Sequence, residues 1–176
     1  DEQDRTKIGD PWPDFVYGLS LGATWKGFDF NVFFQGSQGN DVLNMTLRDF
    51  ESGTGTMNAR EGFLNRAWNG EGSTDKYHRI SAEQGQNSEI SDYFVEDGSY
   101  LRLKNLQLGY NFCERLLKIK GISYLRLYVS AQNLFTLTKY SGLDPEIGSS
   151  NATLNGIDQG FYPQARTWTV GLNIKF

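Results

Sequence analysis

RTWTVGLNIKF, residues 166–176, reads as an extended strand with two unlike faces. Taken two at a time, Trp168, Val170, Leu172, Ile174 and Phe176 fall on one side, and Thr167, Thr169, Gly171, Asn173 and Lys175 on the other. That is the period of a β-strand. A soluble antiparallel sheet turning its apolar face to a core gives the same split, so this stretch fixes the strand but leaves open which solvent the apolar face meets.

The alternation recurs upstream. After the loop signal DPWPD, residues 15–25 place Phe15, Tyr17, Leu19, Leu21, Ala23 and Trp25 opposite Val16, Gly18, Ser20, Gly22 and Thr24. Lys26 and Gly27 form a tight two-residue turn. A second strand over 28–39 then sets Phe28, Phe30, Val32 and Phe34 against Asp29, Asn31, Gln35 and Ser37, with Phe33 out of pattern. A third strand spans 99–112, where Leu101 and Leu103 have one parity and Leu106, Leu108, Tyr110 and Phe112 the other; a bulge near Lys104 and Asn105 reconciles them. CERLLKIKGI is a brief turn, a fourth strand covers 124–136, and the fifth closes the chain over 165–176. Two long polar connections, about 40–92 and 137–164, alternate with the short ones. In the first, RDFESG and REGFLNRAWNG are spaced for short helical turns.

The 176 residues suffice for a sizeable core. No apolar run approaches the roughly 18 residues of a membrane helix. A mean hydropathy of -0.52 does not argue against a membrane barrel, because every second residue of a barrel strand faces a polar interior. Aromatics at 14% and 20 glycines against 4 prolines favour strands and turns over a helical bundle. With a net charge of -4 and scattered cations, nothing in the chain marks a nucleic-acid surface. Cys113 is alone, so no disulfide within the chain, cysteine-rich zinc spacing or paired redox motif exists. Strands of this length, joined by alternating short and long links, fit an outer-membrane barrel with short periplasmic turns and long external loops, which makes Asp1 external and Phe176 periplasmic.

Four stretches carry a family resemblance: DPWPDFVYGLSLGATWKGFDFNVFFQGSQGNDVLN, YFVEDGSYLRLKNLQLGYNF, LRLYVSAQNLFTLTKYSGLDPEI and GFYPQARTWTVGLNIKF. Together they resemble the end of a SusC/RagA-type TonB-dependent outer-membrane transporter of Bacteroidetes. The resemblance implies an all-β fold, the last five strands of a 22-stranded antiparallel transmembrane barrel around a plug domain. It also implies import of glycans or peptides with a SusD-like surface lipoprotein, driven through TonB. Five strands cannot close a barrel, and unpaired backbone in hydrocarbon costs several kcal/mol per group, so the expected partners are the remaining strands and plug of the same transporter, besides outer-membrane lipid. The chain is then expected to be a piece of a longer protein, for instance one nicked in an external loop. Two alternatives share the pattern: a secreted carbohydrate-binding β-sandwich, and a passive porin or adhesin barrel.

Within this frame Trp25, Phe28, Tyr110, Phe112 and Trp168 are the expected membrane-interface aromatics. Arg166 shares the apolar parity and belongs at the outer rim, and the resemblance makes Phe176 a barrel-assembly signal. Trp68, Tyr77, Tyr140, Phe161 and Tyr162, with Asp144 and Glu146, are the candidate ligand or lid contacts: flat rings stack on sugars and carboxylates bond hydroxyls. Asp144-Pro145 also shapes a turn. Asp144, Glu146 and Asp158 lack a calcium-loop spacing. His78, the sole histidine, has no nucleophile arranged beside it. No catalytic residue, cofactor or metal site is therefore expected. The sequons at Asn44 and Asn151 are chance matches in a bacterial chain.

Overall fold

The computed structural model describes residues 5–51, 58–81, 86–112, 121–148 and 152–176. Cys113 and Asn151, and all but the end of the turn expected after Phe112, lie outside them. In chain order the strands are β1 (Phe15–Trp25), β2 (Phe28–Gln38), β3 (Asp41–Asn44), β4 (Val95–Asp97), β5 (Tyr100–Phe112), β6 (Tyr124–Gln132), β7 (Thr136–Thr138), β8 (Ile157–Asp158) and β9 (Thr167–Lys175). Two short helices, α1 (Met45–Glu51) and α2 (Phe63–Arg66), lie in the first long connection. The chain divides into two compact units, one of long strands and one built from the two long connections and the N-terminal segment.

The strand unit is an antiparallel sheet in the order β1-β2-β5-β6-β9, with β7 also paired to β5. Lys26 and Gly27, with φ of 47° and 92°, turn β1 into β2. Two consecutive positive φ values make the turn whose twist suits a hairpin. Register then brings the apolar parities into line. Leu21 faces Val32, Val32 faces Leu106, Leu106 faces Ala131 and Ala131 faces Trp168. The adjacent row runs Ala23, Phe30, Leu108, Val129, Val170.

The parity change in β5 is absorbed by one residue. Phe33 pairs with Asn105 and Phe34 with Leu103, which leaves Lys104 as the bulge. Opposite it the expected 124–136 strand is interrupted, a correction to the sequence reading. Asn133 takes a φ of 51° and its N–H donates to the Lys104 carbonyl at 3.1 Å, so β6 ends at Gln132 and pairing resumes in β7. An alternation pattern carries no trace of such a step, because the residue that departs from extended geometry is set by the neighbouring strand.

The apolar face of this sheet is not a buried core. Only Val32, Leu103 and Ala131 among its central positions are buried, whereas Leu21, Leu108 and Leu172 are each more than half exposed and Val170 is 72% exposed. The other unit has its own small sheet, β4-β3-β8, and a compact interior that includes Val42, Phe63, Ala67 and Phe94. The long polar connections are thus ordered structure over most of their described length.

Deleting Lys104 should throw half of β5 out of register and abolish the folded state, read as loss of protease resistance. Lys104→Ala keeps the residue count, and with it the fold.

Candidate functional site

The polar face of the strand unit is organised by one ion pair. Arg126 donates from Nε to Asp29 Oδ2 at 2.9 Å and from Nη2 to Oδ1 at 2.5 Å, a two-pronged contact. Asp29 sits on β2 and Arg126 on β6, with β5 between them. The bridge passes over Gly109, the residue that pairs with Asp29 on one side and Tyr128 on the other. A methyl at Gly109 would overlap both partners. Asn111 adds a bond from Nδ2 to Asp29 Oδ2 at 3.1 Å, and the Tyr124 hydroxyl donates to Asn111 Oδ1 at 2.6 Å. Nearer the long connections, the fully buried Arg102 donates from Nε to Thr136 Oγ1 at 2.8 Å.

Glycines admit rings in the same way elsewhere in this sheet: Tyr17 lies where a Gly36 side chain would be, and Tyr128 where a Gly171 side chain would be. The aromatic thus covers backbone that glycine leaves bare.

In the loop unit, three acceptors fix the chain, the buried Asn44 and Asp158 and the half-buried Glu96. Asn44 caps α1, its Oδ1 accepting from the Leu47 N–H at 2.8 Å and the Thr46 hydroxyl at 2.7 Å. Glu96 accepts from the Ser141 N–H and hydroxyl, both at 2.7 Å, which ties the second long connection to the first. Asp158 accepts the Tyr140 hydroxyl at 2.6 Å through Oδ2, and the Gly160 and Phe161 N–H groups through Oδ1. Burial first, and then the Asp158 bond, push the Tyr140 hydroxyl pKa up.

A fourth acceptor, Glu51, is 3% exposed. It takes the Tyr93 hydroxyl at 3.0 Å and lies 3.8 Å from Arg60 and 3.9 Å from Arg66. Two guanidinium groups share this one carboxylate. Beside it the His78 ring centroid is 4.2 Å from that of Tyr93, and His78 Nε2 is buried with no hydrogen-bond partner. Burial lowers the His78 pKa, and the Glu51 charge opposes that shift only in part.

A groove of about 470 Å³ opens between α1 and the second connection. Leu47, Phe50 and Leu143 supply apolar wall, Asn44, Thr46 and Ser141 polar atoms, and, among the described residues, Arg60 the one charged group on it.

The residues singled out from sequence fall in different places. Tyr140 and Asp144 are buried, and the Asp144 carboxylate accepts the Glu146 N–H at 2.9 Å, so it shapes its own turn. Tyr77 is half-buried under Arg66, 4.9 Å above its ring. Trp68 and Phe161 are about two-fifths exposed and Tyr162 is 91% exposed. On the sheet, Trp25, Phe28 and Tyr110 form one row, with Phe28 and Tyr110 ring centroids 4.6 Å apart and Tyr110 and Phe112 4.9 Å apart. Trp168 lies at the start of β9, and Phe176 follows that strand, exposed. Sequence reading missed Asp29, Arg126, Glu51, Glu96 and the groove. Gly109 and Asp29 did carry a signal, a glycine and a carboxylate on the polar parity of long strands, but their partner was invisible.

Among the described residues no group of three or more His, Cys, Asp or Glu side chains could hold a metal ion, and no helix is long and apolar enough to cross a membrane. No protein-family profile matches the chain. Whole-sequence relatives do. TonB-dependent receptor P3 of Formosa agariphila is 44% identical over 179 residues, which is 98% of this chain and 17% of the relative. TonB-dependent receptor SusC of Bacteroides thetaiotaomicron is 35% identical over 185 residues, 100% of this chain and 16% of the relative. Among solved structures, the RagAB peptide importer in its open-open state aligns with a TM-score of 0.79 at 31% identity, over 94% of this chain and 17% of the solved one. The chain therefore spans about a sixth of the length of these relatives. Their names describe receptors and an importer, none an enzyme.

Tyr140→Phe should remove the bond to Asp158 and loosen the loop unit by about 1–3 kcal/mol, read as faster amide exchange at Gly160 and Phe161. Because the His78 pKa is lowered, the less folded state binds the extra proton first. The loop unit should accordingly lose stability as pH falls below about 6.5, measured as protease sensitivity; His78→Phe should flatten that dependence.

Proposed function

Since the chain is homologous over nearly all its length to the SusC/RagA-type TonB-dependent receptors, we propose that it forms part of the barrel wall and external loops of an outer-membrane nutrient importer. In this reading β1, β2, β5, β6 and β9 cross the membrane. Their lengths of 11, 11, 13, 9 and 9 residues suit tilted strands that need roughly 9–11 residues each.

The observation that carries the proposal is the apolar face. It is continuous across five strands, exposed, and lined by Leu, Val, Phe and Ile. In water such a surface exceeds what a soluble monomer leaves open; in lipid it is the outer wall. Aromatics stand at its margins, with Lys26 4.8 Å over the Trp25 ring, an arrangement suited to the headgroup region. The polar face, with the Asp29–Arg126 bridge and its amides, then lines the interior. The open edges of β1 and β9 join further strands of the same transporter.

A β-sandwich would need a second large sheet over the apolar face, and the described residues contain only the small β4-β3-β8 sheet. In this reading the long connections supply contacts for cargo or a SusD-like lipoprotein. TonB coupling and the plug belong to the rest of the transporter, and the cargo is a glycan or a peptide.

Val129→Arg places a charge at the middle of β6, between Leu108 and Val170. It should destabilise insertion by about 2–4 kcal/mol and deplete the heat-modifiable barrel from outer-membrane fractions. Ser130→Arg, on the polar face, should leave it in place. Equal accumulation of both variants, or a folded Val129→Arg protein free of detergent, overturns the wall reading.

A further inference from the structure

We infer that the groove between α1 and the second long connection is a binding site for a peptide end, an apolar side chain with a free carboxylate beside it. The inference rests on the importer reading and narrows its cargo at this site.

The wall chemistry selects the ligand class. Leu143 is 68% exposed and Phe50 43% exposed, and with Leu47 they line a space of about 470 Å³. That is a usual size for a small-ligand pocket. Solvent-exposed apolar side chains around a concavity gain from receiving another apolar group.

The polar atoms on the wall are already engaged. The Asn44 amide oxygen accepts from Thr46 and from the Leu47 N–H, and the Ser141 hydroxyl donates to Glu96. A sugar ring brings many hydroxyls that each need a partner, and unpaired buried polar groups are costly, so a glycan fits this lining poorly. The remaining polar feature is a cation. Arg60 shares Glu51 with Arg66, and one carboxylate balances only one of the two guanidinium groups. At 3.8 Å from Glu51 and with its side chain 45% exposed, Arg60 can turn toward a ligand carboxylate and bond it through two N–H groups. Apolar wall and surplus positive charge together match a chain end that is apolar and anionic.

The test uses the full-length transporter in detergent, titrated calorimetrically with an acetylated tetrapeptide of three alanines and a C-terminal leucine. The free acid should bind, and the C-terminal amide about tenfold or more weakly. Arg60→Gln should erase the difference between acid and amide, and Leu143→Asp should abolish binding of the acid, both variants keeping the heat-modifiable barrel. Absence of binding to the unaltered protein, or variants that bind as it does, overturns the inference. So does a Leu143→Asp protein that loses a co-purifying surface lipoprotein while its peptide titration is unchanged. The Val129→Arg comparison is independent of this pocket: a transporter that passes it and ignores the tetrapeptide keeps the importer reading and rejects this site.

Discussion

A strand's side chains alternate with a period of two, so a one-residue slip would send an entire apolar set to the wrong face. The strand unit depends on avoiding that slip across four successive pairings. Three do so by unbroken register, and the fourth, β2 with β5, does so by setting one residue aside. Lys104 is that residue, and Asn133 answers it from the next strand with a left-handed backbone and a bond to the Lys104 carbonyl. Without this local irregularity, Leu103 and Leu106 would point to opposite sides of the sheet. The apolar face is continuous because the ladder is not.

The two faces of the sheet obey different rules. On the apolar face neighbours need only match in size and hydrophobicity, and Leu, Val, Phe and Ala fill it without directional bonds. On the polar face geometry is particular. A guanidinium and a carboxylate two strands apart can meet only if the residue between them has no side chain, and Gly109 supplies that gap. Gly36 and Gly171 likewise yield their space to Tyr17 and Tyr128. Glycine in these strands is a steric requirement of a neighbour, in addition to any role in turns.

The long connections show how polar sequence can still make ordered structure. The buried Glu51 and Asp158 and the half-buried Glu96 take bonds from separate parts of the chain, and the buried Asn44 caps the helix that follows it. Each is satisfied, as a buried polar group must be to be tolerated. Tyr140 and Asp144 illustrate the consequence for function. Their residue types fit ligand recognition, but their side chains are turned inward to hold the loop, and the surface left open belongs to Leu143, Phe50 and Arg60.

Alternation alone settled the strand character of 15–25, 28–38 and 167–175, the two-residue turn at Lys26-Gly27, and the need for a bulge in the third long strand. These features are legible because they follow from local periodicity and from backbone angles that few residues adopt. Family resemblance implied a membrane setting, which periodicity could not distinguish from a soluble sheet. The tertiary structure decided which strand lies between Asp29 and Arg126, where β6 stops, and how α1 and the second connection enclose a groove. Those outcomes join residues about 30 to 100 positions apart, and no local pattern encodes the partner of a side chain whose neighbour is chosen by the pairing of other strands.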